Sequence, residues 1–241
     1  MDTQNIITVA NVDSTNDYAL SLRSQELFRD GLVIITDYQT KGKGQRGNNW
    51  ESKKGENLII SFVFELNIAI KEQFDISKIA SLSVIDFLSD FNIKANIKWP
   101  NDILVGNKKI SGILIHNIIC DNIISHSIIG IGINVNQISF NEYKPKATSI
   151  LLETNRRFNI KKIQKSIIFK VQNRFEDYRN GRNIDYEYID ILFKKDKVAV
   201  FESNSDKFNA IIRGVSDSGK LMIEKENIIQ SFNIKELKML F

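Results

Sequence analysis

Residues 98–115, KWPNDILVGNKKISGILI, hold the side chains best placed to do chemistry. Pro100 fixes its own φ and biases Trp99 toward an extended backbone, so Lys98-Trp99 is expected to close a strand. Asn101 and Asp102 then fall on a sharp corner before the apolar run Ile103-Leu104-Val105. Gly106-Asn107 is a hairpin signal that returns the chain through Lys109 to Gly112. An acid and a lysine on adjoining strands near one rim suit chemistry on a phosphate or carbonyl group. A lysine-bearing hairpin in an ordinary soluble sheet fits the same residues.

Three other stretches offer polar groups to a ligand. In QTKGKGQRGNNW (39–50), three glycines and three cations fall within Lys41–Gly47. Such a segment cannot pack as a core, but its N–H groups and charges can wrap an anion. The spacing is neither a Walker loop nor a dinucleotide fingerprint, and a mobile surface loop has the same composition. Trp50, at its end, could stack on a base. Ser14, Thr15 and Asn16 sit where Ser14 and Asp17 form a capping box, and a helix start with hydroxyls can also line a small-ligand pocket. GIGINVN (130–136) places glycines in a strand, with Asn134 and Asn136 facing one way. That pattern marks either a close approach to a ligand or a bulged edge.

The elements that must hold these groups follow from periodicity. Strands are expected over 5–12, 32–38, 57–64, 113–120 and 123–135, the last two joined by an Asp121-Asn122 turn. A capped helix should open at 14 and run to about 24. A second has Asp75 as N-cap and runs to about 90, and a third covers 160–178 with Ile167, Val171 and Phe175 inward. A short helix is expected over 185–194. From Lys197 the pattern turns to short strands, VAVFE, FNAIIRGV, LMIEKE and IIQSFNI, as in a small SH3-type barrel. The domain boundary is therefore placed at 192/193.

Composition excludes several classes. The 241 residues, 42% hydrophobic and 26% charged, suffice for a sizeable core. The single cysteine, Cys120, excludes an intrachain disulfide and is expected to be a buried structural thiol. No signal peptide or membrane-length apolar run is visible, so a cytoplasmic location is expected. The net charge of +4 is spread among acids without a basic stripe, and the chain opens directly on a strand. Sequence-specific DNA binding is not expected. His116 and His126 lack zinc-spaced partners, so no protein-only metal site is expected.

The ordered set STN (14–16), QTKGKGQRGNNW (39–50), KWPND (98–102), KISGIL with Lys109, and GIGINVN (130–136) resembles the biotin–protein ligases over essentially the whole chain. These are also called biotin–[acetyl-CoA-carboxylase] ligases. The resemblance implies an α+β fold like that of class II synthetases, with a mixed, largely antiparallel sheet and flanking helices over 1–192. An SH3-like β-domain would follow over 193–241, and the form would be the short one without a DNA-binding domain.

The implied activity is ATP-dependent formation of biotinyl-5′-AMP and transfer to one lysine of a biotin carboxyl carrier protein, with Mg²⁺ arriving on ATP, near Asp102. Ser14, Thr15, Asn16, Gln39, Gly42, Lys43, Gly44, Gln45, Lys109 and Gly112 would bind biotin. Arg46, Asn48, Trp50, Lys98, Asn101, Asp102 and Asn134 would bind ATP or the adenylate, with Lys109, Asp102 and Arg46 catalytic. Gln45 and Asn48 depart from the GRGRRGR loop of many members, which implies a weaker hold on the adenylate. The loop's cations are expected to be unpaired and the loop mobile without ligand. A homodimer is left open, as are a lipoate–protein ligase, a nucleic-acid-binding module and an idle biotin-storing relative.

Overall fold

The β-branched runs of the first 134 residues pair into a single mixed sheet. The computed structural model describes residues 5–241, apart from the side chain of Arg46. Its strands are β1 (Ile6–Val9), β2 (Leu32–Thr36), β3 (Asn57–Ala69), β4 (Asn96–Lys98), β5 (Asp102–Val105), β6 (Lys108–Cys120) and β7 (Ile123–Asn134). Among the described residues they form a seven-stranded sheet in the order β1-β2-β3-β7-β6-β5-β4. β1 and β2 run parallel, and every other neighbouring pair is antiparallel.

Helix α1 (Thr15–Ser21) packs on one face, where Ala19 and Leu22 meet Ile34, Val63 and Ile128. The long helices α2 (Gln73–Ser89) and α4 (Ile160–Arg179) belong to the larger core on the other face, with Ile60, Phe62, Ile129 and Ile131 of the sheet. Phe175 of α4 stacks on Phe64 of β3, ring centroids 4.0 Å apart. Two short helices follow β7, α3 (Ile150–Thr154) before α4 and α5 (Asp185–Asp190) after it.

The C-terminal strands are β8 (Val198–Ser203), β9 (Asp206–Val215), β10 (Leu221–Lys225), β11 (Ile228–Phe232) and β12 (Lys238–Met239). They make an antiparallel sheet ordered β11-β10-β9-β8-β12, of the SH3-like kind. Its Phe201, Ile212, Leu221 and Ile223 share one core with Ile97, Trp99 and Tyr188. The Trp99 indole N–H donates to the Gly219 carbonyl at 3.0 Å, joining the KWPND corner to a turn of this sheet.

Several sequence expectations need correction. Asp75 does not cap α2, which begins two residues earlier; its carboxylate instead holds the buried Lys78 ammonium at 2.7 Å. Cys120 is exposed, because β5 pairs with β6 only from Lys108 to Gly112 and the far end of the β6–β7 hairpin projects beyond it. α1 stops at Ser21 and α5 at Asp190, while β3 continues to Ala69. α3 and β12, five and two residues long, are too short to leave a periodic signal.

Candidate active site

Strand alternation puts small residues in register on the α1 face of the sheet. Asp102 pairs with Gly112, Gly112 with Gly132, and Gly132 with Ile59 across β5, β6, β7 and β3. One step along, Leu114, Gly130 and Ser61 form a second row. The glycines therefore open a trough in the sheet. A Cβ at Gly132 would collide with the Trp50 indole, and one at Gly130 would lie 2.5 Å from Asn16 Oδ1. A ligand or side chain can rest on bare backbone there.

The β1–α1 corner walls the trough with polar groups. Ser14 caps α1 by accepting from Asp17 N at 3.3 Å. Thr15 N donates to Gln39 Oε1 at 2.8 Å, and Asn16 Nδ2 donates to the Leu114 carbonyl at 2.9 Å. Ser61 Oγ lies 2.7 Å from both Thr15 Oγ1 and Asn16 Oδ1. Ser14, Thr15, Asn16 and Ser61 are all buried, so these groups are fixed before any ligand arrives. Ser61 was not anticipated. Its signal is a lone serine inside the apolar run NLIISFVF.

The glycine-rich segment folds over this wall as a short hairpin. Gly44 N donates to Asn48 O at 2.7 Å and Trp50 N to Gly42 O at 2.9 Å. Gly42 does not line the crevice; a Cβ there would lie 2.5 Å from Trp50 O, so its role is to let the hairpin close. The expectation of unpaired cations fails at two positions. Lys41 pairs with Asp13 at 2.9 Å and Lys43 with Asp17 at 2.6 Å, so α1 and the turn before it supply counter-charges. The Lys41 hydrogen bond, joined by Thr40, holds the Asp13 carboxyl below its ordinary pKa. The Arg46 side chain lies outside the described residues.

At the KWPND corner, one carboxylate sits between two ammonium groups. Asp102 Oδ1 lies 2.5 Å from Lys109 Nζ, and Oδ2 lies 2.9 Å from Lys98 Nζ. Burial by itself would raise the Asp102 pKa, but the Lys109 and Lys98 charges outweigh it and hold the carboxyl below the usual aspartate range. Lys109 Nζ also lies 5.7 Å from the Trp50 ring centroid. Asn101 donates from Nδ2 to the Ile113 carbonyl at 2.8 Å.

Two connected spaces result. The trough crevice meets Ser14, Thr15, Asn16, Gln39, Lys43, Gly44 and Gln45, then Trp50, Asn101, Lys109 and Gly112; with Trp50 in it, about 50 Å³ is left open. A neighbouring chamber of about 630 Å³ shares Gly44, Gln45, Trp50, Asn101 and Lys109 and adds Asn48, Lys98, Asp102 and Asn134. Its far walls were not anticipated. They come from Phe140 and Tyr143 after β7 and from Leu237, Met239 and Phe241 of the C-terminal sheet. Asn134 already donates Nδ2 to Thr148 O at 2.9 Å. Asn136, expected beside it, is spent on structure: it donates to Phe158 O at 2.8 Å and accepts from Phe158 N at 3.0 Å.

A polar crevice that shares Lys109, the ion-pair partner of Asp102, with a roomier chamber suits two substrates meeting at one charged junction. Residues 9–134, which build this junction, match the model of the Biotin/lipoate A/B protein ligase family. The chain belongs to this family. It is 25% identical over 245 residues to the bifunctional ligase/repressor BirA of Bacillus spizizenii, covering 98% of this chain and 74% of that protein. It is 26% identical over 224 residues to the biotin–[acetyl-CoA-carboxylase] ligase of Mycobacterium tuberculosis, covering 90% and 82%. Among solved structures, the biotin protein ligase from Aquifex aeolicus in complex with biotin and ATP superposes with a TM-score of 0.79 at 24% identity, covering 98% of each chain. That fold match extends over both the mixed sheet and the C-terminal sheet of this chain.

Proposed function

We propose that this chain is a biotin–protein ligase that makes biotinyl-5′-AMP in the glycine trough and passes the biotinyl group to a lysine of a carrier domain. The observation that carries this is the Lys98–Asp102–Lys109 corner, set where the polar crevice opens into the chamber. Thr15 and Asn16, both bonded to Ser61, and Gln39, bonded to Thr15, present donors and acceptors suited to the ureido ring. Trp50 lines both spaces, and its indole would border the adenine as well as biotin.

In the first step a biotin carboxylate oxygen forms a bond to the α-phosphorus of ATP, and the bond to pyrophosphate breaks. Two anions must approach each other, and Lys109 and Lys98 offset their repulsion. In the second step the carrier amine attacks the acyl carbon, AMP leaves with the bonding pair, and the amine proton passes to solvent. Asp102, held ionised by its two lysines, is a poor proton acceptor; it positions both ammonium groups. Bound with ATP, Mg²⁺ would supply charge neutralisation on the triphosphate. Among the described residues no group of three or more His, Cys, Asp or Glu could hold a metal, and both Asp102 oxygens are engaged by lysine. The ion would be held chiefly by phosphate oxygens and water.

The test is mass spectrometry of a biotin carboxyl carrier domain incubated with the protein, biotin and MgATP. One added biotinyl group, with pyrophosphate released, is expected. Equal labelling with lipoate, or none with biotin, would overturn the assignment.

A further inference from the structure

Two loops form part of the chamber wall. One carries Trp50 and Glu51; the other, 136–149, runs from β7 to α3 and includes Phe140 and Tyr143. The second loop is tied down at both ends. At its start, Gln137 Oε1 accepts from Lys53 N at 3.0 Å and from Asn57 Nδ2 at 2.6 Å. At its end, Lys109 N donates to Lys146 O at 2.7 Å and Thr148 N donates to Lys109 O at 2.8 Å, so the loop closes on the backbone of the site lysine.

Between these anchors the loop has little apolar support, since Ile138 is 65% exposed and Tyr143 39%. What crosses the gap is polar. The Tyr143 hydroxyl donates to Glu51 Oε2 at 2.5 Å, and Asn141 N donates to the same oxygen at 3.4 Å. Burial and the adjacent Glu51 raise the Tyr143 pKa, which keeps the phenol a donor. Glu51 adjoins Trp50, Trp50 meets the Lys109 ammonium, and the Lys109 backbone carries the far end of the loop. These contacts form a closed ring beside the chamber.

We propose that Glu51 and Tyr143 are a positioning pair, a clasp that fixes the 138–146 loop and the Trp50 segment against the nucleotide. This rests on the ligase assignment above and adds to it how the nucleotide is retained. Neither residue touches the reacting atoms. The clasp acts through Trp50 and through the loop, so its loss should weaken ATP binding without a matching loss of biotin binding.

The variants are Tyr143→Phe, Glu51→Ala and the double variant, with Glu51→Gln as one that keeps an acceptor. Loss of one hydrogen bond of ordinary strength predicts a rise of roughly threefold to tenfold in KM for ATP. KM for biotin and kcat should move less than this, the double variant should be no worse than Glu51→Ala alone, and Glu51→Gln should stay near wild type. In the protein without ligands, hydrogen exchange at 138–146 should quicken in Tyr143→Phe and Glu51→Ala. Additive losses, or an equal rise in KM for biotin, would show general loosening and refute the clasp. Exchange at 138–146 as slow in the two variants as in wild type would refute it too, whether or not the enzyme turns over. A wild-type protein that releases no pyrophosphate would count against the ligase assignment, leaving the exchange result to decide the clasp.

Discussion

At Asp102, desolvation and two neighbouring charges pull in opposite directions, and the charges win. Removing the carboxylate would leave Lys98 and Lys109 facing each other without a counter-charge. Asp102→Asn should therefore slow adenylate formation and carrier transfer together, each by about 100-fold, typical for loss of preorganised electrostatics. Separate single-turnover assays measure the two; a defect confined to transfer would mean that Asp102 takes the amine proton. The depressed pKa also fixes a pH dependence. A carboxyl whose folded pKa lies below its unfolded value contributes stability that is fully present above the unfolded value and lost as pH falls through the folded one. Carbon-13 NMR of the side chain should therefore show Asp102 titrating below a free aspartate, and a midpoint above it would mean that the lysine pairs do not form in solution. Gln45 lines both spaces and brings an amide but no charge to them. Gln45→Arg should slow adenylate dissociation by roughly fivefold, for about 1 kcal/mol of charge-assisted bonding. Equal rates in a chase with unlabelled biotin and ATP would make the amide neutral.

β7 shows how much of the site was legible. GIGINVN announces a strand whose alternate residues are too small to fill a face, and period-two alternation places Gly130 and Gly132 on the same side. The glycine-rich segment, the KWPND corner and the STN helix start were legible for the same reason: each is a short local pattern with a local consequence. What the glycines accommodate depends on register between distant segments. Nothing near Gly132 in sequence specifies Trp50, and nothing near Gly130 specifies Asn16. The clasp residues Glu51 and Tyr143 lie 92 positions apart in stretches without periodicity, so local patterns could not join them. The role of Asn136 stayed open in the sequence because an amide at a strand end looks alike whether it meets a ligand or the Phe158 backbone. The trough yields a test of its own. Gly130→Ala must displace the Asn16 carboxamide, which Ser61 and Leu114 hold in place. The expected cost is about 1–3 kcal/mol by urea unfolding, with a raised KM for biotin. An unchanged KM would move the biotin subsite away from Asn16.

Across the whole molecule, the C-terminal sheet is part of the site as well as a separate set of strands. Leu237, Met239 and Phe241 wall the chamber, and Lys98 Nζ lies 5.9 Å from the Phe241 ring centroid. Composition and strand spacing revealed this sheet, but they carried no information on how it seats against the larger one. Its seat is the meeting of Trp99, Phe74 and the turn at 216–219. Gly219 accepts the Trp99 indole bond, adopts φ +82°, and lies so close to Phe74 that a Cβ would stand 2.5 Å from two of its carbons. Both sheets also contribute to one buried cluster, so they are expected to unfold together. In urea, the tryptophan and far-UV transitions of the wild type should coincide. Gly219→Ala combines an unfavourable backbone conformation with overlap in a packed seam, and should cost roughly 2 kcal/mol or more. Because the seam is shared, both probes should shift by the same amount, and KM for ATP should rise with the displacement of the chamber's far wall. Two separated transitions in the variant, with the larger one at its wild-type midpoint, would instead mean that the C-terminal sheet is an independent unit resting on the site.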